Sequence, residues 1–191
     1  MNASADILPR RRLTVSDYHR MGEAGILAPD ERVELIEGEI IAMPPIGPAR
    51  NGLVSRLIRL FDRTIGDRAI VQARGPVRLS DLSEPEPDLA LLRPRDDFYM
   101  KRIPEAREAL LLVEVADATL AKDRKVKVPL YARHGVPETW LVDVAGERVI
   151  AYREPGAGGD ARELVQHPPE ALEPVSLEGV TIDLSGLFAT D

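Results

Sequence analysis

The sequence predicts an α/β (α+β) fold in which a mixed central sheet is flanked by helices, built on the core order α-β-β-β-α-β. Three observations carry that prediction. Residues 89–92 and 110–116 are apolar runs of strand length, as expected for strands buried on both faces. Residues 48–66 carry apolar side chains at helical spacing. Residues 119–134 lie between a capping threonine and a Gly135 and Pro137 stop, and a further apolar run follows at 139–144. A length of 191 residues favours one domain with a substantial core over two small ones.

Taken in order, residues 1–12 read as a mobile tail ending in Arg10-Arg11-Arg12, and residues 13–191 as a single domain with its core at about 33–155. The arginines follow the short apolar piece of the tail, the reverse of a signal peptide. Thr14 or Ser16 caps a short packing helix through Tyr18 and Met21. Residues 33–43 form an extra N-terminal hairpin turning at Glu37-Gly38. Glu34 alternates with Val33 and Leu35, so it faces away from them, either into solvent or as a third acid of a site.

Pro44-Pro45-Ile46-Gly47-Pro48 forbids helix until about residue 48. Beyond it Leu53, Val54, Leu57, Ile58, Leu60, Phe61 and Ile65 form one wide stripe. Arg56, Arg59 and Arg63 lie opposite, as a solvated face or as a row of phosphate contacts. A strand at 69–80 bends at Gly75-Pro76, and an acidic, proline-broken turn leads to the strand 88–92. Residues 93–108 hold Arg93, Arg95, Lys101, Arg102 and Arg107 in a loop or broken helix that is either solvated or grips a substrate.

After the strand 110–116, Pro129 sits inside the helix 119–134 and requires a kink or restart. Lys125 and Lys127 point to opposite faces, while Lys127 and Tyr131, four apart, share one. Residues 139–144 and 148–153 form a hairpin turning at Ala145-Gly146. The loop Gly156-Ala157-Gly158-Gly159 lacks the lysine and hydroxyl of a phosphate-binding loop. Leu164, Val165, Val180, Ile182 and Leu184 belong to C-terminal edge strands.

Composition excludes several classes. Without cysteine there are no disulfides or thiolate metal sites, and His19, His134 and His167 are too scattered for a zinc centre. No apolar run is long enough to span a membrane, which makes the cytoplasm the default location. A net charge of −7 argues against a nucleic-acid coat, and eight aromatics are too few for a single-strand stacking platform.

Chemistry concentrates in two carboxylates. Asp88 follows Pro87 at the mouth of an apolar strand, and Glu114 stands inside the run Leu111-Leu112-Val113-Glu114-Val115. A buried, unpaired carboxylate costs several kcal/mol, so such a group is compensated by a cation or a proton. If the two strands are antiparallel neighbours, Asp88 and Glu114 meet at one sheet edge and suit a hard divalent cation such as Mg2+. A purely structural account is open too, with Glu114 paired to Lys127 or Arg133 in the core and Asp88 a turn carboxylate.

The order of elements, with Pro-Asp opening the second core strand and an acid on the third, resembles the PD-(D/E)xK nuclease superfamily and its restriction-endonuclease-like core. Four stretches resemble, more narrowly, the Uma-type putative restriction endonucleases. They are Glu34-Leu35-Ile36-Glu37-Gly38-Glu39, Pro87-Asp88-Leu89-Ala90, Leu112-Val113-Glu114-Val115, and the segment from Lys127 through Tyr131-Ala132-Arg133 to Gly135-Val136-Pro137-Glu138-Thr139-Trp140-Leu141-Val142-Asp143. The resemblance covers about residues 13–155.

The resemblance implies a metal-dependent endonuclease hydrolysing DNA phosphodiester bonds, using Mg2+ or Mn2+. It implies Asp88 and Glu114 as metal ligands, Lys127 as the site lysine and Glu34 as an auxiliary acid. Ala116 stands where the superfamily motif has its lysine, so Lys127 supplies that group from the following helix. Family members often carry a histidine in the segment 47–52, where this chain has Asn51. Asn51, Arg56, Arg59 and Arg63 are the candidate substrate contacts. DNA is the expected partner and a homodimer the expected assembly, since symmetric cutting of a duplex commonly takes two active sites. The alternatives are a catalytically inactive nuclease-fold module that binds DNA or a protein partner, and another metal-dependent hydrolase on the same core.

Overall fold

A computed structural model of the chain describes residues 10–159, 161–166 and 170–189. His167 and residues 1–9 of the expected tail lie outside them; Arg10 pairs with Glu39 across the first hairpin. Helix α1 (Val15–Glu23) starts on a reciprocal cap: Asp17 N donates to the Thr14 hydroxyl at 3.1 Å, and Thr14 N donates to the Asp17 carboxylate at 3.0 Å. Strands β1 (Val33–Ile36) and β2 (Glu39–Ala42) form the expected hairpin. Its corner takes positive φ at both Glu37 and Gly38, the twist a two-residue hairpin needs.

The proline run delivers Pro48 to the first turn of helix α2 (Pro48–Ile65), where a missing N–H leaves no gap in the helix bonding. Strand β3 (Ile70–Ala73) is much shorter than the expected 69–80. Arg74 turns to a φ of 50° and Pro76 has no N–H for a ladder, so the chain leaves the sheet early. It folds back on itself instead, with Val77 N donating to Pro85 O and Leu79 N to Ser83 O.

Strands β4 (Leu89–Leu92) and β5 (Ala109–Ala116) are buried along their whole length. The connection 93–108 binds most of its own charges, through Arg95–Asp97, Arg102–Glu108 and Arg107–Glu105 pairs and the Tyr99 ring beside Arg95 and Arg102.

The expected helix 119–134 is helix α3 (Leu120–Lys122), a π-helical turn (Asp123–Lys127) and helix α4 (Val128–Arg133). Pro129 is the cause. It has no N–H to give to residue 125 and its ring crowds that carbonyl, so the chain widens ahead of it and restarts at Val128, whose N–H reaches Asp123 O. Thr119 precedes the helix without capping it; its hydroxyl bonds to the Asp123 carboxylate instead.

Strands β6 (Glu138–Asp143), β7 (Arg148–Arg153) and β8 (Arg162–Gln166) follow, then β9 (Ala171–Leu172) and β10 (Ile182–Asp183), which pair in a small separate sheet. The six-stranded central sheet runs β3-β4-β5-β6-β7-β8 and is mixed. Only β5 and β6 are parallel, and the α3–α4 segment supplies their crossover.

Alternation along β4 and β5 sorts the core into two layers. Leu89, Leu91, Leu111, Val113 and Val115 cluster with Leu53, Leu57 and Phe61 of α2 and with Trp140. Ala90, Leu92 and Leu112 cluster with Leu130 and Tyr131 of α4. Glu114 has the parity of the second layer, which puts a carboxylate under the π-turn. No helix among the described residues is long and apolar enough to cross a membrane.

Candidate active site

The site begins with register. Leu89 faces Val113 in the antiparallel β4–β5 pair, so Asp88, one residue earlier, stands opposite Glu114. Both are buried, Asp88 at 3% exposure and Glu114 at 0%. The Val115 amide donates to Asp88 Oδ2 at 2.8 Å, fixing one carboxylate to the strand that carries the other.

Lys127 reaches the same point from the π-turn. Its Nζ lies 2.9 Å from Glu114 Oε1 and 3.0 Å from Glu34 Oε2, and it donates to Glu86 O at 3.2 Å. Tyr131, one turn on, donates its hydroxyl to the same Glu114 oxygen at 2.5 Å. Glu114 Oε2 is buried, with no hydrogen-bond partner among the described residues.

Glu34 is buried rather than solvent-facing. The loop 77–85 pulls β1 against the site, with Glu84 N bonded to Leu35 O and Gly38 N to Leu82 O. Glu34 then accepts from Glu86 N at 3.2 Å and pairs with Lys122 at 2.9 Å as well as Lys127.

Arg50 completes the cluster, and the sequence reading did not single it out. Its guanidinium grips both oxygens of Asp88, at 3.1 Å from Nε to each and 2.9 Å from Nη2 to Oδ2. The available signal was a cation in the first turn of α2, against the helix dipole and with no acid beside it. Asn51, the next residue, is exposed and accepts from Arg74 at 2.6 Å; Arg74 N in turn bonds Asp88 O, so this pair forms the rim. Arg56 is tied to the carbonyls of Gly186 and Leu187, while Arg59 and Arg63 are exposed further along α2.

Electrostatics follow from this crowding. Burial pushes the Glu114 carboxyl up to about 8, helped by Asp88 and Asp123 and opposed by Lys127 and Tyr131. Burial alone would lower Lys127, yet the carboxylates of Glu114 and Glu34 outweigh it and hold the ammonium above its ordinary value. Burial likewise works to raise Glu34, but Lys127 and Lys122 overcome it and hold Glu34 below the usual range. Burial raises Asp123.

The carboxylates Asp88, Glu114, Glu34 and Asp123 exceed the cations Arg50, Lys127 and Lys122 by one. Burial and the neighbouring acids favour a proton on Glu114 when no further cation is present. The same surplus, and the unpartnered Glu114 oxygen, fit a divalent ion. Among the described residues no group of three or more His, Asp or Glu side chains is disposed to hold one. A pair of carboxylates suits Mg2+, which retains most of its waters.

In fold, the chain is similar to a solved structure from Anabaena variabilis, described as a putative nuclease belonging to DUF820. The TM-score is 0.73 at 19% identity, covering 92% of this chain and 97% of the other. The family model Uma2, described as putative restriction endonuclease, matches residues 15–185, and the chain belongs to that family. No curated protein matches the chain. The family's description supports a nuclease function, and the structural likeness shows the fold.

Proposed function

We propose that this protein is a metal-dependent endodeoxyribonuclease that hydrolyses DNA phosphodiester bonds, with Asp88 and Glu114 as the ligands of Mg2+ or Mn2+. The observation that carries this reading is Glu114 Oε2, a buried carboxylate oxygen with no partner among the described residues, on the residue that stands opposite Asp88 in the β4–β5 register. Asp88 and Glu114 would hold a divalent ion, which would polarise the scissile phosphate and acidify a water. Lys127, immobilised by Glu114, Glu34 and Glu86 O, stabilises the charge that develops on the phosphate. Glu34 positions that lysine rather than reacting itself. Asn51 and Arg74 contact the strand at the rim, and the exposed Arg59 and Arg63 extend the contact along the α2 flank.

Nicking of supercoiled plasmid tests the proposal. Wild type is expected to nick with Mg2+ or Mn2+, and EDTA, Asp88→Asn and Lys127→Ala are expected to abolish it. Loss in Asp88→Asn alone would keep the metal site and remove Lys127 from the chemistry. Equal metal affinity in wild type and Glu114→Gln, by calorimetry, would return Glu114 to a structural role. Cutting both strands of a duplex calls for two such sites, and we read the working form as a cytoplasmic homodimer, testable by sedimentation with and without duplex DNA.

One observation favours a second reading. Arg50 already occupies both Asp88 oxygens, as expected of a catalytically inactive nuclease-fold module that binds DNA or a protein partner. Such a module would bind its partner equally well with Asp88→Asn.

A further inference from the structure

Arg50 stands where helix electrostatics disfavour it. It is the third residue of α2, in the turn whose dipole favours acids, and that turn contains none. What holds it there is Asp88, through a two-oxygen fork shielded from water, with the arginine side chain only 11% exposed. Asp88 Oδ2 also accepts the Val115 N–H, so that oxygen is fully engaged while Arg50 is in place, and Oδ1 keeps one acceptor site beside Arg50 Nε. A divalent ion and this guanidinium therefore compete for one ligand. Asn51, the next residue on α2, and Arg74, whose N–H bonds Asp88 O, are exposed and bonded to each other, so the Arg50–Asp88 pair adjoins the rim proposed to contact DNA.

Resting on the nuclease reading, we propose that Arg50 is an exchangeable arm. It neutralises Asp88 while the site holds no divalent ion, then yields Asp88 to the ion and turns its guanidinium onto a phosphate of the bound strand. The planar fork that matches a carboxylate matches a phosphate equally well. Metal and DNA thereby help one another: the ion frees a phosphate-binding group, and the phosphate gives the displaced arginine a new partner.

The test is calorimetric titration of MnCl2 into wild type, Arg50→Gln, Arg50→Lys and Asp88→Asn, each checked for folding by circular dichroism. Anisotropy of a labelled duplex oligonucleotide, with and without Ca2+, gives the second readout. Arg50→Gln is expected to bind Mn2+ about tenfold tighter than wild type, with Arg50→Lys between them, since lysine keeps the charge without the fork. The gain in DNA affinity that Ca2+ confers on wild type is expected to vanish in Arg50→Gln. If the glutamine variant does not fold, Arg50→Lys alone decides, by binding Mn2+ more tightly than wild type or not.

Unchanged or weaker Mn2+ binding in the Arg50 variants, with Asp88→Asn abolishing it, would overturn the arm and leave the nuclease site standing. Mn2+ binding indifferent to Asp88→Asn would overturn both. Mn2+ binding seen in Arg50→Gln and not in wild type would support the arm in its strongest form.

Discussion

Lys127 is the side chain on which the buried charges depend. It faces Glu114 and Glu34 at once, and neither carboxylate has access to water. Lys127→Ala removes the shared counter-charge and is expected to cost about 3–5 kcal/mol, the range for breaking a buried pair, measured by urea denaturation. Glu114 sets a pH dependence of unusual sign. Its carboxyl, raised by burial from 4.5 to about 8, keeps a proton in the folded protein that the unfolded chain has already lost across that window. Stability from this group is therefore full below about pH 4.5 and declines as pH rises toward about 8, by at most about 1.4 kcal/mol per unit, then levels off. In EDTA the wild-type urea midpoint is expected to fall across this range through Glu114. Glu114→Gln should remove that part of the fall; an unchanged pH profile would show that Glu114 is ionised throughout.

At the scale of elements, the π-turn is the device that places Lys127. Pro129 prevents a regular helix from 120 to 133, and the widened turn ahead of it carries Lys127 inward while Lys125 stays exposed. Pro129→Ala lets the segment close into an α-helix and shifts Lys127 off Glu114. We expect plasmid nicking to drop sharply and stability to fall as in Lys127→Ala, since Glu114 and Glu34 lose the same counter-charge; nicking at the wild-type rate would show that the turn has another cause. Helix α2 offers a contrasting case, since its body is held to the sheet by apolar packing. Phe61 is fully buried and its ring lies 5.9 Å from that of Trp140 on β6. Phe61→Ala is expected to cost about 3–5 kcal/mol through the cavity it leaves, read from the urea midpoint.

On the scale of the molecule, a net charge of −7 means that DNA must meet a local surface rather than a general field. Arg59 and Arg63 are exposed along α2, whereas Arg56 spends its guanidinium on backbone carbonyls of the C-terminal segment. Reversing Arg59 and Arg63 to glutamate together should weaken DNA binding at low salt and flatten its salt dependence by about two ions' worth. Binding that keeps its salt slope would assign both arginines to a solvated face. The C-terminal residues Leu172, Leu177, Val180, Ile182, Leu184 and Leu187 pack into the α2 side of the core, so they belong to the same hydrophobic layer.

Local pattern was enough for the sequence to determine the order of elements. Apolar runs marked β4, β5 and β6, helical periodicity marked α2, and proline and glycine placed the turns, because these signals arise from near neighbours. The meeting of Asp88 with Glu114 was also legible, once an antiparallel pair was assumed. Tertiary structure alone decided which partner each charge takes. Lys127 rather than Arg133 meets Glu114, since Arg133 lies against Glu37. Glu34 turns inward because the loop 77–85 docks on β1, a contact with no local signature. Arg50 reaches Asp88 across 38 positions. Burial and charge pairing are properties of segments brought together from a distance, and periodicity along one segment carries no record of them.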